Sequence, residues 1–275
     1  VFWDIFRKKG AVFLNNNNQK CLNDFILATQ RWRDWFFLAW YDFKIPYQRT
    51  IIGPLWQMLQ VGVWVAGLTI IFNQTEGRTT NYYIQYITCG VVFFGFISSI
   101  MTASPNLFLQ YSQDILNIPM PLFIYVYRMV ALNVLNLLFQ LPVVFLVIVL
   151  VANVNRYTLL SIPALLAYFI TAIWVTLLLA ILGSRFKDLK YTIASIMRLL
   201  FFFSPIFWVP VKGSFRETIA FLNPLTYFLE IIRSPLLGQL PSTAAWRNVL
   251  VINLFGIVIT LAAFLSCRRR IPFWL

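Results

Sequence analysis

Residues 40–57, WYDFKIPYQRTIIGPLWQ, change character midway, from an aromatic segment with charges of both signs to the start of a long apolar run. Lys44 and Arg49 flank Pro46, and Gly53 with Pro54 stand just before Trp56 and Gln57. A cationic, proline-broken corner ahead of an apolar run suits the entry to a membrane span. Cations stay at the aqueous surface, and proline is tolerated in a first helical turn, where its missing amide costs little.

Composition points the same way. The chain has 275 residues, is 60% hydrophobic and only 11% charged, contains no histidine and carries a formal charge of +13. A soluble core of this size would need more polar covering. The cations sit mostly beside apolar runs, where they act as orientation signals rather than as a phosphate-binding face, so no nucleic-acid partner is expected. Cys21, Cys89 and Cys267 are too dispersed for a disulfide framework or a metal site. Residues 1–26 read as a cytoplasmic tail with a weakly ordered run at Asn15 to Asn18, and no cleavable leader is expected there.

A helix crossing the hydrocarbon needs about 20 mostly apolar residues. Six runs qualify, at about 51–72, 82–104, 121–151, 159–183, 191–211 and 247–267. The expected fold is an all-α integral membrane protein with six transmembrane helices. Pro142 should kink the third span, and Pro205 and Pro210 should bend or end the fifth. Six spans place both termini on one side, with fourteen cations there against six opposite. That side is therefore expected to be the cytoplasm.

Between spans five and six, GSFRETIAFLN and PLTYFLEIIRSPLLG have a helical period but are too short to cross. Asn223 can cap free amides and Pro224 fits a first helical position. Two short re-entrant or outer-face helices are expected over about 213–237, either closing an exit or packing the outer surface.

Residues 27–46 predict an amphipathic interfacial helix. Trp32, Trp35, Phe36, Ala39, Trp40 and Phe43 recur at intervals of three and four, with Arg31, Asp34, Tyr41 and Asp42 mainly on the other side. It is either an anchor or a platform for a cytoplasmic partner. Residues 47–275 then form the transmembrane domain. Within it, Pro105 and Pro119 bracket a predicted helix containing Gln110, Ser112, Gln113, Asp114, Ile115 and Leu116. That helix suits force transmission from a partner, or is a lipid-facing cap.

The chain carries no engine of its own. No acidic residue lies within a span, which disfavours proton coupling, and no lysine follows a glycine as a phosphate-cradling loop requires. Without histidine or a carboxylate pair, acid/base catalysis lacks obvious players, so no enzymatic activity, cofactor or metal is expected in this chain. Polar residues in the spans are mostly uncharged amides. Gln57, Gln60 and Trp64 with Trp56 line one stripe; Arg128, Asn133, Asn136 and Gln140 line another. Interhelical hydrogen bonds, about 0.6–2 kcal/mol each, would account for such stripes. So would a channel wall, because amides exchange hydrogen bonds with hydroxyls and aromatic faces pack on sugar CH groups. NYYIQY at 81–86 is expected as an aromatic belt at the outer end of span two, and Arg198 is expected to snorkel.

Several stretches resemble one family in order. RDWFFLAWYDFKIPYQRTIIGPLWQML, with its T-x-x-G-x-x-W core, resembles the amino-terminal signature of ABC-2 type polysaccharide-export permeases. SRFKDLK resembles the family's loop after span four, and SPIFWVP and LNPLTYFLEIIRSPLLG resemble its late outer-face region. The resemblance implies a homodimer in the inner membrane, joined by two cytoplasmic ATPase subunits that bind ATP and Mg. It further implies export of a lipid-linked polysaccharide, such as an O antigen for lipopolysaccharide or a teichoic acid. Residues 105–120 would be the coupling element, and the 213–237 helices, with Asn223, Pro224, Tyr227, Glu230 and Arg233, the periplasmic gate. Two alternatives are an ABC-2 exporter of small drugs or lipids and a membrane enzyme of glycan assembly.

Overall fold

The computed structural model describes residues 24–72, 80–117, 120–151 and 156–275. Most of the tail with its asparagine run, Cys21, Glu76, Arg78 and Pro119 lie outside them. Every regular element among the described residues is helical.

Helical residues 24–30 break at Arg31 and continue as α1, Trp32–Lys44. Thr29 lies inside the first piece, its hydroxyl donating to the Phe25 carbonyl at 2.9 Å. The helix stops at Pro46 within a 3-10 turn, Ile45–Tyr47. Arg49 and Gly53 then adopt positive φ, 67° and 62°, which turns the chain into the 3-10 turn Gly53–Leu55 and α2, Trp56–Phe72. α3 spans Thr80–Ala103, and α6 spans Leu122–Val151 with Pro142 inside it. α7 covers Ser161–Arg185 and α11 covers Thr243–Cys267, capped by the Ser242 hydroxyl. These five carry helices long and apolar enough to cross a membrane.

The expected fifth span differs. α8, Leu189–Phe203, has 15 residues and therefore rises only about 22 Å, short of the roughly 30 Å of hydrocarbon. It ends two residues before Pro205, which cannot donate to a helical ladder. The chain continues as a non-helical strap whose Ser204, Pro205, Ile206, Trp208 and Val209 are buried. Side chains satisfy its carbonyls: the Tyr86 hydroxyl donates to Pro205 (3.0 Å) and Trp208 (3.2 Å), Arg233 Nη1 to Pro205 (2.7 Å), and the Tyr83 hydroxyl to Phe207. Irregular backbone is tolerated at membrane depth only when enclosed by protein in this way. Tyr83 and Tyr86 of NYYIQY are thus buried anchors of the strap, not the lipid-facing belt that their aromatic content suggested.

The connection after α3 is also more broken than expected. A 3-10 turn, Ser104–Asn106, leads into α4, Leu107–Gln110, and after a turn at Tyr111 into α5, Ser112–Asn117. Between α8 and α11 lie α9, Phe215–Leu222, and α10, Pro224–Leu236. Asn223 caps α10 by accepting from the Leu225 amide at 3.0 Å. α12, Ile271–Trp274, closes the chain.

Helices α3 and α7 are buried over more than half of their apolar length and form the centre; α2, α6 and α11 pack around them, with exposure concentrated on one side of α2 and α11 and in the second half of α6. The main apolar cluster joins α3, α6, α7, the strap and α10. A second cluster gathers residues 24–30, α4, the start of α6 and the ends of α7 and α11 at one end of the bundle, with α12. Close approach there depends on Gly183, where a Cβ would lie 1.9 Å from the Pro105 carbonyl oxygen.

Candidate functional site

The two amide stripes face each other. Gln57 on α2 is buried, and its Nε2 donates to Asn136 Oδ1 on α6 and to the Tyr47 hydroxyl, both at 2.6 Å. On α6, Asn133 is also buried; it accepts from the Ser99 hydroxyl at 2.7 Å and donates to the Met129 carbonyl. These bonds fix both amide orientations. They leave Gln57 Oε1 without a hydrogen-bond partner among the described residues, although it is buried.

Around this pair lies a cavity of about 350 Å3 lined by Gln57, Gln60, Ser99, Asn133, Asn136 and Gln140, with Phe43, Tyr47, Phe96 and the Asp42 carboxylate. A second space of about 390 Å3 shares Gln57, Gln60, Ser99 and Gln140 and adds Trp64, Ser98, Thr102, Phe94 and Phe201. A third, about 700 Å3 and largely apolar, shares Trp64, Phe94, Ser98, Thr102 and Phe201 with the second. One groove thus runs from amides to hydrocarbon along α2, α3, α6 and α8. Its walls hold groups that can exchange hydrogen bonds with a neutral polar ligand, beside aromatic faces.

Six of the eight stripe residues share this groove: Gln57, Gln60, Trp64, Asn133, Asn136 and Gln140. Trp56 is half exposed and borders none of the three spaces. Arg128 is drawn away. Its Nε donates to Asp42 Oδ2 at 2.6 Å and its Nη2 to Asp42 Oδ1 at 2.7 Å, and its guanidinium lies 4.2 Å from the centre of the Tyr111 ring. Tyr111 also donates to Asp42, at 3.2 Å. Burial pushes the Tyr111 phenol up to about 12, with Arg128 opposing and Asp42 adding to the shift, so it stays a donor near neutral pH. One charge cluster therefore ties α1, the α4–α5 turn and α6.

Asp42 was expected on the polar face of the interfacial helix, but it faces α6. Ala39 and Phe43 are buried beside it, whereas Trp32 and Phe36 are exposed and Trp35 and Trp40 half-buried. The inward stripe of α1 is thus rotated from the tryptophan-rich one, and Phe43 stacks on Phe139 of α6 at 4.9 Å.

In the segment expected to couple to the ATPase, Gln110, Gln113, Asp114 and Leu116 are exposed, Ser112 and Ile115 half-buried. Among the expected gate residues, Asn223 is buried and donates to the Ser204 hydroxyl at 2.8 Å. Pro224 is exposed; the Tyr227 hydroxyl donates to the Phe221 carbonyl, and Glu230 accepts from the Ser242 amide. Arg233 is buried in the main core. Its guanidinium sits 3.8 Å over the Tyr86 ring, while Nε and Nη2 have no hydrogen-bond partner among the described residues. A ring face and a carbonyl there replace a carboxylate.

Sequence reasoning missed Ser98, Ser99 and Thr102 of α3 and Tyr47. The SSIMT run at 98–102 held a signal, since its hydroxyls sit one turn apart on one face. Tyr47 held none, because its partner Gln57 is reached only through the corner. Arg198 is exposed and lines the apolar end of the groove.

Comparison with known proteins agrees with this architecture. A family model described as ABC-2 type transporter matches residues 33–237, most of the chain. The search of curated proteins gave no match.

Proposed function

This chain belongs to the ABC-2 type transporter family, as a membrane subunit of an ABC transporter, and from that premise we propose that it exports a lipid-linked polysaccharide across the cytoplasmic membrane. The observation that carries the cargo class is the groove's largely uncharged lining: facing amides of α2 and α6, hydroxyls of α3, and aromatic faces, with the one carboxylate at its amide end, Asp42, already paired with Arg128. A sliding, hydroxyl-rich ligand can trade hydrogen bonds along such a wall without being held by a charge. Gln57 Oε1, buried and unpartnered among the described residues, is an acceptor available to it.

In this reading two copies of the chain form the passage, and two ATPase subunits, which hold ATP and its magnesium, dock on the α4–α5 segment and α1. The strap after α8 completes a sixth crossing, which puts both termini in the cytoplasm. α9 and α10 border the exit. ABC-2 membrane subunits generally work with separate ATPase subunits, in keeping with a chain that offers no phosphate-cradling loop.

Reconstituted with its ATPase, the chain should give ATP-dependent glycan translocation. Asn136→Leu combined with Trp64→Ala should lower it about tenfold or more, since loss of one such contact in the rate-limiting step is worth a factor of about ten, with assembly intact. Normal export by that variant would count against the groove. The apolar end of the groove favours a second reading, export of small drugs or lipids. Stimulation of ATPase activity by such compounds, with no glycan movement, would select it.

A further inference from the structure

At its apolar end the groove presents a chemistry unlike that of the amide end. Trp64, Leu68, Phe72, Phe94, Phe201 and Phe207 bound a space of about 700 Å3, within the size range of ligand pockets. One cation, Arg198, lines it. Arg198 lies nine residues into α8, roughly 14 Å from its start by the helical rise. Its Nη2 donates to the Ser195 hydroxyl at 3.2 Å, and among the described residues no carboxylate pairs with it. An ionisable side chain within an apolar helix is costly and is kept where it meets a pathway or a partner. A guanidinium, with donors in a planar fork, suits a phosphate best.

We infer that this space is a binding site for the lipid-phosphate end of the exported molecule, its hydrocarbon against the aromatic wall and its phosphate on Arg198. The inference rests on the exporter reading and adds to it a place for the anchor, which the amide wall cannot supply. Continuity supports this occupant over an unrelated one: Trp64, Ser98, Thr102 and Phe201 belong both to this space and to the neighbouring one with Gln57 and Gln60. A glycan in the polar part and its lipid in the apolar part would thus lie in one groove, with the linking phosphate between them.

The test uses the full chain in phosphatidylcholine nanodiscs, labelled with a photoreactive long-chain isoprenyl phosphate. Labelling is expected within residues 64–72 and 194–207, and unlabelled isoprenyl phosphate should compete about tenfold better than the uncharged alcohol. Arg198→Gln should abolish that preference while leaving alcohol binding, and Arg198→Lys should retain part of it. Equal competition by the alcohol in the wild type, or an unchanged preference in Arg198→Gln, would overturn the site. So would equal competition by phosphatidylglycerol, which would reduce it to a contact with ordinary membrane lipid. Should Arg198→Gln fail to insert, Leu68→Ser with Phe201→Ser must reduce labelling by both probes, and undiminished labelling would again overturn it. Export assays separate the two readings. Glycan export without labelling at 194–207 removes the site alone, and phosphate-selective labelling without glycan export removes the glycan reading alone.

Discussion

Asp42 and Arg128 lie 86 positions apart in sequence and meet through two short hydrogen bonds, with both side chains largely shielded. Removing one partner leaves the other charged and poorly solvated. Asp42→Asn should therefore destabilise by about 3 kcal/mol, and adding Arg128→Gln should recover much of the loss, which a double-mutant cycle in thermal unfolding would measure. Tyr111 adds a pH dependence of known sign. Its folded-state value is raised, so its contribution is complete below the ordinary phenol range near 10 and disappears as pH rises through about 12. Stability should accordingly be insensitive to Tyr111 ionisation at neutral pH, and Tyr111→Phe should change only the alkaline limb. Gly183 and Gly256 set two contacts by their lack of a side chain. A Cβ at Gly256 would fall 2.5 Å from the Trp174 ring, and one at Gly183 would meet backbone. Gly183→Ala should cost about 1–3 kcal/mol of overpacking, seen as a lower unfolding midpoint in detergent. Helical period revealed the face on which Arg128 lies. It could not reveal an acid on another helix, and that is why Arg128 was read as lining.

Individual helices were legible where apolar length decides them. The starts and ends of α2, α3, α6, α7 and α11 fall within a few residues of the expected spans, because apolar length sets them and Pro54 and the Arg268 to Arg270 run mark the first start and the last end in sequence. The stops at Pro46 and before Pro205 were also legible, since proline acts locally. What escaped were features set by neighbours: the break at Tyr111, which stacks on Tyr125 at 5.6 Å, and the rotation of α1 toward Arg128. The break changes how the proposed coupling segment should be probed. Asp114 lies in the first turn of α5, where proline is tolerated, whereas the Ile115 amide donates to the Tyr111 carbonyl at 3.0 Å. Ile115→Pro should thus uncouple ATP hydrolysis from transport while Asp114→Pro has the smaller effect. A ratio of glycan moved to ATP hydrolysed that is equal in both variants would remove α5 from the coupling role.

Across the whole molecule, two clusters divide the labour. The second, at one end, gathers the segments proposed to meet the ATPase; the first holds the strap and α10 at the other. α6 belongs to both, and it carries Arg128, Asn133, Asn136 and Gln140 in succession. Apart from the charge cluster at Asp42, a hydrogen-bonded path runs from Tyr47, in the turn that ends α1, by Gln57 to Asn136, a route by which a shift of α1 would reach the groove. Gln57→Leu should therefore reduce export more than it reduces stability, by about tenfold against about 1 kcal/mol, the net worth of such a bond. The groove's existence was legible as two stripes. Its depth and its apolar end were not, because they arise where α8 stops short and Phe207 turns in.

That early stop has a kinetic side. Within a helix, each backbone bond is reinforced by its neighbours, so the ladder opens as a cooperative unit. The strap's carbonyls at Pro205, Phe207 and Trp208 are held instead by three side chains, the stacked pair Tyr86 and Arg233 and, apart from them, Tyr83. Fasteners of this kind can be undone singly, which places the segment at the low end of the local-opening scale. Amides of residues 206–209 should exchange with deuterium well before those of α3, and Tyr86→Phe should speed them further while leaving α3 unchanged.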